Sequence, residues 1–301
     1  MSLRFGVAGT GHWARTVHVP GLGRTVGAKP VGVWGRNAAE AARIAGDNGL
    51  AAFADFDAML GAVDAVSFAL PPDVQAPLAL RAARAGKHLL LEKPIATNVR
   101  EADAIAREVA AQGLGSVVFF MRRFVPEIAA AIDQASRRPW TRASVTVHST
   151  TLVAGSPYAD SAWRRETGAA IWDIGPHVVS ILIAVLGPVV EVRAERVDGH
   201  VHRFTTSHAR GAVADVSLSI HVERAAARND YRFDASDASV TLPDPPLDRP
   251  AIYAIAAGEL VRHVADRSSP HRCDAAFGAE VVAVLEAVER RRADAELEAS
   301  R

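Results

Sequence analysis

Short apolar runs alternate with helix-length segments over the first part of the chain, from Leu3 to Phe120. The apolar runs predict six strands, at residues 3–8, 30–34, 51–53, 64–69, 88–91 and 116–119. Alanine-rich segments with apolar residues at helical spacing lie between them and predict helices at 37–47, 74–85 and 98–111. This repeated strand–helix–strand pattern is typical of a parallel sheet with helices on both faces. We therefore expect a doubly wound α/β domain over residues 1–121.

The pattern changes after Arg123, where strand-like alternation replaces the strand–helix rhythm. Strands are expected at 141–150, 189–197, 200–207, 211–222 and 228–242. Asp198-Gly199 between two of them is a hairpin signal and predicts antiparallel neighbours. Phe277, Val281, Leu285 and Val288 have helical spacing and predict a final amphipathic helix over 274–297. Residues 122–301 are therefore expected to form an α+β domain.

Composition narrows the possible partners of the chain. Its 301 residues are 49% hydrophobic and 23% charged, which suits two globular cores. Lys plus Arg equals Asp plus Glu at 34 each, so we expect no nucleic-acid partner. No segment has the apolar length of a membrane span, and the single cysteine, Cys273, does not indicate an oxidising compartment. We expect a cytoplasmic protein with a small-molecule partner.

A glycine-rich turn follows the first predicted strand and opens a helix, with the sequence Gly9-Thr10-Gly11-His12-Trp13-Ala14. In this context the pattern is typical of a dinucleotide-binding loop. Gly9 permits the turn, Gly11 allows backbone N–H groups to approach a pyrophosphate, and Ala14 allows close packing of the helix on the sheet. The alternative is a glycine turn that binds nothing.

The end of the second strand, Val33-Trp34-Gly35-Arg36-Asn37, indicates the choice of nicotinamide cofactor. An acidic residue there would bind the ribose 2′-hydroxyl of NAD, whereas an arginine accommodates the 2′-phosphate of NADP. No carboxylate is present, and Arg36 can pair with phosphate or stack on adenine. We therefore favour NADP over NAD, with Arg36 and Asn37 as cofactor-binding residues. Arg36 as an ordinary solvated arginine is the alternative.

Four sequence motifs occur in an order that resembles one family of oxidoreductases. They are the Gly9–Ala14 turn, Leu70-Pro71-Pro72, Glu92-Lys93-Pro94, and Asp173-Ile174-Gly175-Pro176-His177. The chain resembles the family of glucose-fructose oxidoreductase, inositol dehydrogenase and rhizopine-catabolism proteins. The resemblance implies a Rossmann domain followed by a domain with a large, mostly antiparallel sheet. It also implies hydride transfer between a nicotinamide and a carbinol or carbonyl carbon of a sugar, inositol or related polyhydroxylated molecule.

The resemblance also implies roles for individual residues. Lys93 is the implied catalytic lysine, Asp173 binds a substrate hydroxyl, and His177 acts as acid or base. Trp163 and Arg164 are expected near cofactor and substrate. Cofactor contacts are further implied for Leu70, Pro71, Pro72, Gln75, Glu92 and Lys93. A homodimer or homotetramer formed through the C-terminal sheet is implied as well.

The chemistry of these residue types supports the assignments. A lysine beside a reacting hydroxyl stabilises developing alkoxide and can relay a proton, whereas arginine does not lose its proton. Only Lys29, Lys87 and Lys93 interrupt an otherwise arginine-based chain. Asp173 and His177 are four residues apart in a segment that we expect to be helical, so both would project from one face. The alternatives are a solvated lysine, a helix-surface Asp–His hydrogen bond, and a buried tryptophan beside a rim arginine.

Three positions depart from the family pattern near the expected substrate. The chain has Gly168-Ala169-Ala170 where three glycines are common, Ser180 where an aspartate is common, and Gln75 where a histidine is common. Substrate identity therefore cannot be transferred from relatives. Two other functions stay open: an NAD-dependent glycoside hydrolase that uses transient oxidation, and a non-catalytic ligand-binding regulator. His200 and His202 have no accompanying ligand set, and we expect no metal.

Overall fold

A computed structural model describes residues 2–159, 161–195 and 197–299 of the chain. Backbone contacts group them into two compact units. The first contains the residues up to Phe124 together with Leu247–Val282, and the second contains Val125–Pro246 together with the residues from Ala283 onward. This division differs from the expected single boundary near residue 121, because Leu247–Val282 packs with the first unit.

Six parallel strands form the sheet of the first unit, in the order β3-β2-β1-β4-β5-β6. They are β1 (Leu3–Ala8), β2 (Ala28–Trp34), β3 (Ala51–Ala52), β4 (Ala65–Phe68), β5 (His88–Leu91) and β6 (Ser116–Val118). The order confirms the doubly wound fold. The strands are added outward to one side of β1 and then, from β4 onward, to the other side, so the strand order reverses between β1 and β4. Ligands of such sheets bind beyond the carboxyl ends of the strands at this reversal.

Helices connect these strands. They are α1 (Val19–Gly23), preceded by a π-helical turn at Ala14–His18, α2 (Ala38–Asn48), α3 (Phe56–Ala62), α4 (Pro72–Arg84) and α5 (Val99–Ala111). Of these, α2, α4 and α5 lie at the places that the apolar spacing predicts, whereas α3 was not predicted. Asn37, Asp55 and Asn98 begin α2, α3 and α5, and each side chain accepts a backbone N–H of the first turn. These caps satisfy donors that a helix start leaves without an internal partner.

Helix α6 (Pro126–Ser136) precedes the strands of the second sheet, and two further helices follow them in the chain. Helix α9 (Arg249–Ala265) was not expected from the sequence; Asp248 caps it, and Tyr253 and Leu260 on its buried face are fully enclosed. Helix α10 (Ala275–Ala299) confirms the helix expected over 274–297. Among the described residues, no helix combines the length and apolar character that crossing a membrane requires.

The second unit contains a six-stranded sheet in the order β12-β11-β7-β10-β9-β8. Its strands are β7 (Arg142–His148), β8 (Val189–Ala194), β9 (His202–His208), β10 (Val213–Ser219), β11 (Arg228–Ala235) and β12 (Ala238–Thr241). Neighbouring strands are antiparallel except for the parallel pair of β7 and β10. The expected α+β class with a mostly antiparallel sheet is thereby confirmed.

Alternating residues give this sheet one apolar and one polar face. In β7, Ala143, Val145 and Val147 are buried, whereas the residues between them are polar and more exposed. The polar face carries ion pairs and hydrogen bonds between strands, including Arg142 with Asp215 at 2.5 Å. Such alternation is typical of an antiparallel sheet that covers a core on one side only.

Two strand expectations need correction. The single strand expected over 228–242 is a hairpin, because Ser236 and Asp237 form a turn between β11 and β12. The hairpin expected at Asp198-Gly199 turns one residue later, since Asp198 pairs with Val201. Gly199 occupies the left-handed region with φ of 59°, which explains why glycine suits this turn.

The prediction that one helix carries both Asp173 and His177 is wrong. Helix α7 (Ala169–Asp173) ends at Asp173, and helix α8 (Gly175–Leu186) begins two residues later. Pro176 has no N–H to continue the hydrogen-bond ladder of α7, so a new helix starts there. The two side chains therefore belong to different helices, and their spacing of four residues does not place them on one helical face.

Candidate active site

The glycine-rich turn lies at the carboxyl end of β1, where the doubly wound fold places its ligand site. Gly9 has φ of 126°, and a Cβ built on it would lie 2.3 Å from the carbonyl oxygen of Ala69. A Cβ on Gly11 would meet no atom within 4 Å. Gly9 is thus required by the fold, whereas Gly11 leaves open space above the start of a helix. This is the cradle that a pyrophosphate needs.

The helix after this turn packs directly on the sheet. Ala14 is fully buried, as expected for the third small residue of the motif. Thr10 lies against Gly35 at the end of β2, where a Cβ would come within 2.6 Å of the Thr10 methyl carbon. His12 is half-buried, and its carbonyl accepts the hydroxyl of Thr16. The residues of the turn therefore fit a dinucleotide.

Arginines dominate the end of β2. Arg36 is exposed, and Asn37 uses its side-chain oxygen to cap α2. The nearest acidic residue is Glu40 in the first turn of α2, and it forms ion pairs with Arg43 at 3.0 Å and Arg15 at 3.5 Å. The hydrogen bond from Arg43 lowers the pKa of Glu40. The ion pair with Arg15, which sequence reasoning missed, links the helix of the glycine turn to α2.

Gln75 lies below the Glu92-Lys93-Pro94 segment. Its side chain is fully buried, and its amide donates to the Glu92 carbonyl at 2.8 Å while its oxygen accepts the Glu92 N–H at 2.8 Å. Leu70, Pro71 and Pro72 form the loop that starts the same helix, and the Pro71 carbonyl accepts the Gln75 N–H. Gln75, on α4, thus holds the backbone of the segment that follows β5.

Glu92 connects the segment to the glycine turn. The indole N–H of Trp13 donates to its Oε1 at 2.6 Å, and Nε2 of His18 lies 3.1 Å from the same oxygen. The other carboxylate oxygen lies 3.3 Å from the Lys93 amide nitrogen. Lys93 itself is half-buried at the carboxyl end of β5. Lys93 therefore stands directly beside a residue that the nucleotide turn holds in place.

In the second unit, Arg164 and Asp173 form a bidentate ion pair. The guanidinium Nε and NH2 donate to the two carboxylate oxygens at 3.0 and 3.1 Å, and the Asp173 residue is 5% exposed. The Arg164 guanidinium also lies over the rings of Trp163 and Tyr158, at 4.2 and 4.5 Å from their centroids. Such paired, stacked geometry holds an aspartate as a carboxylate that accepts hydrogen bonds.

The helix that carries His177 accounts for one departure from the family pattern. His177 is half-buried near the start of α8, and its carbonyl accepts the hydroxyl of Ser180 at 2.9 Å. Ser180 is fully buried, so an aspartate there would be placed in an apolar core. Ala169 and Ala170 are buried too, whereas Gly168 has φ of 90°, a conformation that favours glycine, and faces the Glu289 carboxylate.

Comparison with known proteins agrees with the geometry of the first unit. Residues 3–120 match the model of an oxidoreductase family with an NAD-binding Rossmann fold. This part of the chain is therefore similar to that oxidoreductase family. The match agrees with the resemblance to the family of inositol and sugar dehydrogenases that the motifs indicate.

Individual relatives of the family cover part of the chain. UDP-N-acetylglucosamine 3-dehydrogenase of Acidithiobacillus ferrooxidans is 34% identical over 42% of this chain and 39% of its own length. Inositol 2-dehydrogenase of Rhizobium meliloti is 36% identical over 44% of this chain and 41% of its own length. The aligned region thus spans about two fifths of the length of these two relatives.

Solved structures extend the similarity of fold to the whole chain. A protein from gentamicin A biosynthesis, solved in complex with NAD, has a TM-score of 0.84 at 20% identity. The match covers 97% of this chain and 95% of that protein. At this identity the match shows a shared fold in both units.

Several residues of the site have no signal in the local sequence. Glu92, Lys93 and the glycine turn were expected from motifs, but their buried partners His18, Ser67 and Tyr253 were not. Tyr253 is 235 residues from His18 in the chain, and no local spacing relates them. Within the described residues, no group of three or more His, Cys, Asp or Glu side chains is arranged to hold a metal ion.

Proposed function

We propose that this protein is an NAD(P)-dependent oxidoreductase. Its substrate is proposed to be a sugar, an inositol or a related polyhydroxylated molecule, which reacts at a carbinol or carbonyl carbon. The observation that carries the proposal is the hydrogen bond from Trp13 to Glu92, because it joins a dinucleotide turn to the residue before Lys93. The match of residues 3–120 to the oxidoreductase family and the named activities of two relatives support the same function.

The nucleotide half of the site is assigned to the first unit. The Gly9–Ala14 turn and its helix start would hold the pyrophosphate, and Arg36 would pair with a 2′-phosphate. NADP is favoured because Glu40, the acidic residue nearest the end of β2, is already paired with two arginines. When bound, the nicotinamide supplies a carbon that accepts or gives a hydride.

The protein's own residues handle protons and substrate oxygens. Lys93 gives a proton to, or takes one from, the reacting oxygen, and its ammonium stabilises negative charge there. Asp173, kept as a carboxylate by Arg164, accepts a hydrogen bond from a substrate hydroxyl. His177 serves as the second acid or base. Trp163 and Arg164 would line the substrate side of the second unit.

The sheet of the second unit is proposed to form a homodimer or homotetramer through its polar face. The hydrogen bond between His148 and Ser217 and the ion pair between Arg142 and Asp215 lie on this face. The dinucleotide role expected for residues 1–121 and the substrate role expected for 122–301 belong to the same proposal.

A screen of sugars, polyols and their keto forms with NADPH, NADH and the oxidised cofactors tests the function by nicotinamide absorbance. We expect stoichiometric absorbance change with at least one polyhydroxylated substrate. Lys93→Met should lower kcat by about a hundredfold, the usual effect of losing an acid or base. Lys29→Met is the matched control and should keep wild-type turnover.

Three outcomes would refute parts of the proposal. Near-normal turnover of Lys93→Met would remove the assigned proton carrier. Glycoside cleavage without net cofactor turnover would indicate the hydrolase alternative. Cofactor binding without any turnover across the panel would favour a ligand-binding regulator.

A further inference from the structure

Five polar side chains form a closed network in the interior of the first unit. Glu92 binds Trp13 and His18, and the other ring nitrogen of His18, Nδ1, lies 2.9 Å from both the Ser67 hydroxyl and the Tyr253 hydroxyl. The two hydroxyl oxygens are 2.6 Å apart. His18, Ser67 and Tyr253 are fully buried, and Glu92 is 9% exposed. The network is therefore shielded from water along almost its whole length.

The donors and acceptors define one consistent arrangement of protons. A carboxylate only accepts hydrogen bonds, so Nε2 of His18 must carry the hydrogen that faces Glu92. In neutral histidine Nδ1 is then an acceptor, and it needs a hydroxyl donor. Burial and the nearby charge of Glu92 raise the pKa of Tyr253, so its hydroxyl keeps its proton. Either Ser67 or Tyr253 can donate to Nδ1, while the remaining hydroxyl donates to its neighbour.

The network occupies a place where an apolar core would be simpler. Burying a carboxylate and an imidazole costs desolvation free energy, and apolar side chains of similar volume often stabilise a fold as well or better. The Tyr253 ring packs against the fully buried Phe119 ring, with their centroids 4.8 Å apart. Stability alone therefore does not explain these polar groups. Their common end point is Glu92, the residue that precedes Lys93.

We propose that His18, Ser67 and Tyr253 are positioning residues that fix the Glu92 carboxylate between the nucleotide turn and Lys93. Ser67 and Tyr253 hold the His18 ring through Nδ1, and His18 together with Trp13 holds the carboxylate. The carboxylate then holds the backbone of Lys93, with Gln75 holding the same segment from below. The proposal rests on the proposed function in that Lys93 is the proton carrier. Arg249 is a further charged group at the network, and its guanidinium lies over the Trp13 ring at 5.9 Å from the centroid.

The geometry predicts redundancy between the two hydroxyls. Because both lie 2.9 Å from Nδ1, Ser67→Ala or Tyr253→Phe alone leaves one donor for the histidine. Each single variant should therefore stay within about twofold of wild type, whereas the double variant should lower kcat about tenfold, the equivalent of one lost hydrogen bond. Both substitutions remove one oxygen atom and preserve shape. Tyr231→Phe in the second unit is the matched control and should keep wild-type activity.

A second measurement tests the positioning of Lys93 without any substrate. The three lysines can be acetylated briefly and compared by peptide mass spectrometry, with Lys29 and Lys87 as internal references. Releasing the segment should raise the labelling of Lys93 relative to Lys29 by about threefold or more in the double variant and in Glu92→Gln. General loosening of the fold would raise Lys87 labelling as well, so a selective rise identifies positioning.

The two proposals fail in different ways. If wild type binds neither NADPH nor NADH, the proposed function fails, while the labelling ratio still tests the network. If the double variant is folded and labels Lys93 at the wild-type ratio, the positioning proposal is overturned. The proposal is also overturned if the fold-loss of kcat in the double variant equals the product of the losses in the two single variants. Ser67 and Tyr253 would then act independently and would not substitute for each other as donors to Nδ1.

Discussion

Single arginine side chains determine the charge at the end of β2. Glu40 is the acidic residue that follows the end of β2 most closely in sequence, and its ion pairs with Arg15 and Arg43 compensate its negative charge. Arg36 is exposed beside them. A free carboxylate would repel a 2′-phosphate, whereas these arginines attract one. The choice between the two cofactors is therefore an electrostatic question at the level of one residue.

Arg36→Ala should raise the dissociation constant of NADPH more than that of NADH. A charge-assisted hydrogen bond contributes about 1.5–3 kcal/mol, so we expect a loss of roughly ten- to a hundredfold for NADPH. Titration of nicotinamide fluorescence measures both constants. Arg100→Ala, an exposed arginine of α5, is the control and should change neither. Equal effects of Arg36→Ala on the two cofactors would contradict the NADP preference.

The ion pair of Arg164 with Asp173 shows what single-residue patterns leave out. The sequence motifs indicated both residues as part of the substrate side, but not their bidentate contact. The pairing depends on a 3₁₀ turn at Trp163–Arg165 and on the end of α7. Tertiary structure of this kind has no local signature. The consequence is that Asp173 is a hydrogen-bond acceptor held by a cation.

At the scale of elements, the two glycines of the turn after β1 have different roles, one in folding and one in leaving space for a ligand. Gly9 is constrained by the fold, through a positive φ and the carbonyl of Ala69. A Cβ built on Gly11 would have no neighbour within 4 Å, so the fold does not require glycine there. The missing side chain leaves space for a ligand instead. The same residue type thus has a structural role at one position and a ligand-binding role at the other.

Alanine substitutions at these two glycines should affect different properties, stability for Gly9 and cofactor binding for Gly11. Gly9→Ala should lower the free energy of unfolding by at least about 2 kcal/mol, because strain and a steric clash add. Gly11→Ala should leave it within about 0.5 kcal/mol of wild type but weaken nicotinamide binding about tenfold or more. Chemical denaturation and cofactor titration measure the two quantities. Normal cofactor affinity in Gly11→Ala would contradict the pyrophosphate site.

Elements with strong local signals were predictable, and those set by packing were not. The six parallel strands and α2, α4 and α5 follow from apolar spacing and caps. Helix α9 was missed although Asp248 and Pro250 are start signals, because its apolar face is rich in alanine. The break between α7 and α8 was also missed, although Gly175-Pro176 marks it. In both cases the composition of the segment obscured its boundaries.

At the scale of the whole molecule, one chain segment crosses the expected domain division. Leu247–Val282 follows the second sheet in sequence but packs with the first unit. Tyr253 of this segment reaches His18 and Ser67, so part of the buried network comes from the far end of the chain. Local patterns cannot predict such a return, because it depends on contacts between residues separated by 186 and 235 positions.

Histidines give the whole molecule a common response to acid. Six of the eleven have a lowered pKa, in each case mainly because burial disfavours the charged form; they are His88, His148, His202, His208, His221 and His263. An unfolded chain binds protons at these sites at higher pH than the folded chain does. Stability therefore falls as the pH decreases below the ordinary histidine value.

His88 should contribute most clearly to this acid sensitivity. Burial and the charge of Arg267 lower its pKa from 6.5 to about 4, and its Nδ1 accepts the N–H of Gly115 at 3.0 Å. Between these two pH values the unfolded state binds the extra proton, so folding loses free energy as the pH falls from 6.5 towards 4. After discounting for its partial exposure, we expect a loss of about 1–2 kcal/mol.

His88→Gln should therefore flatten the dependence of stability on pH in this window, although it also lowers stability at neutral pH. Denaturant titrations at a series of pH values measure the slope. Arg100→Gln, at an exposed arginine of α5, is the control and should keep the wild-type slope. A wild-type slope in folded His88→Gln would show that the imidazole is already free to protonate in the native state. The acid sensitivity would then have to come from the other five histidines.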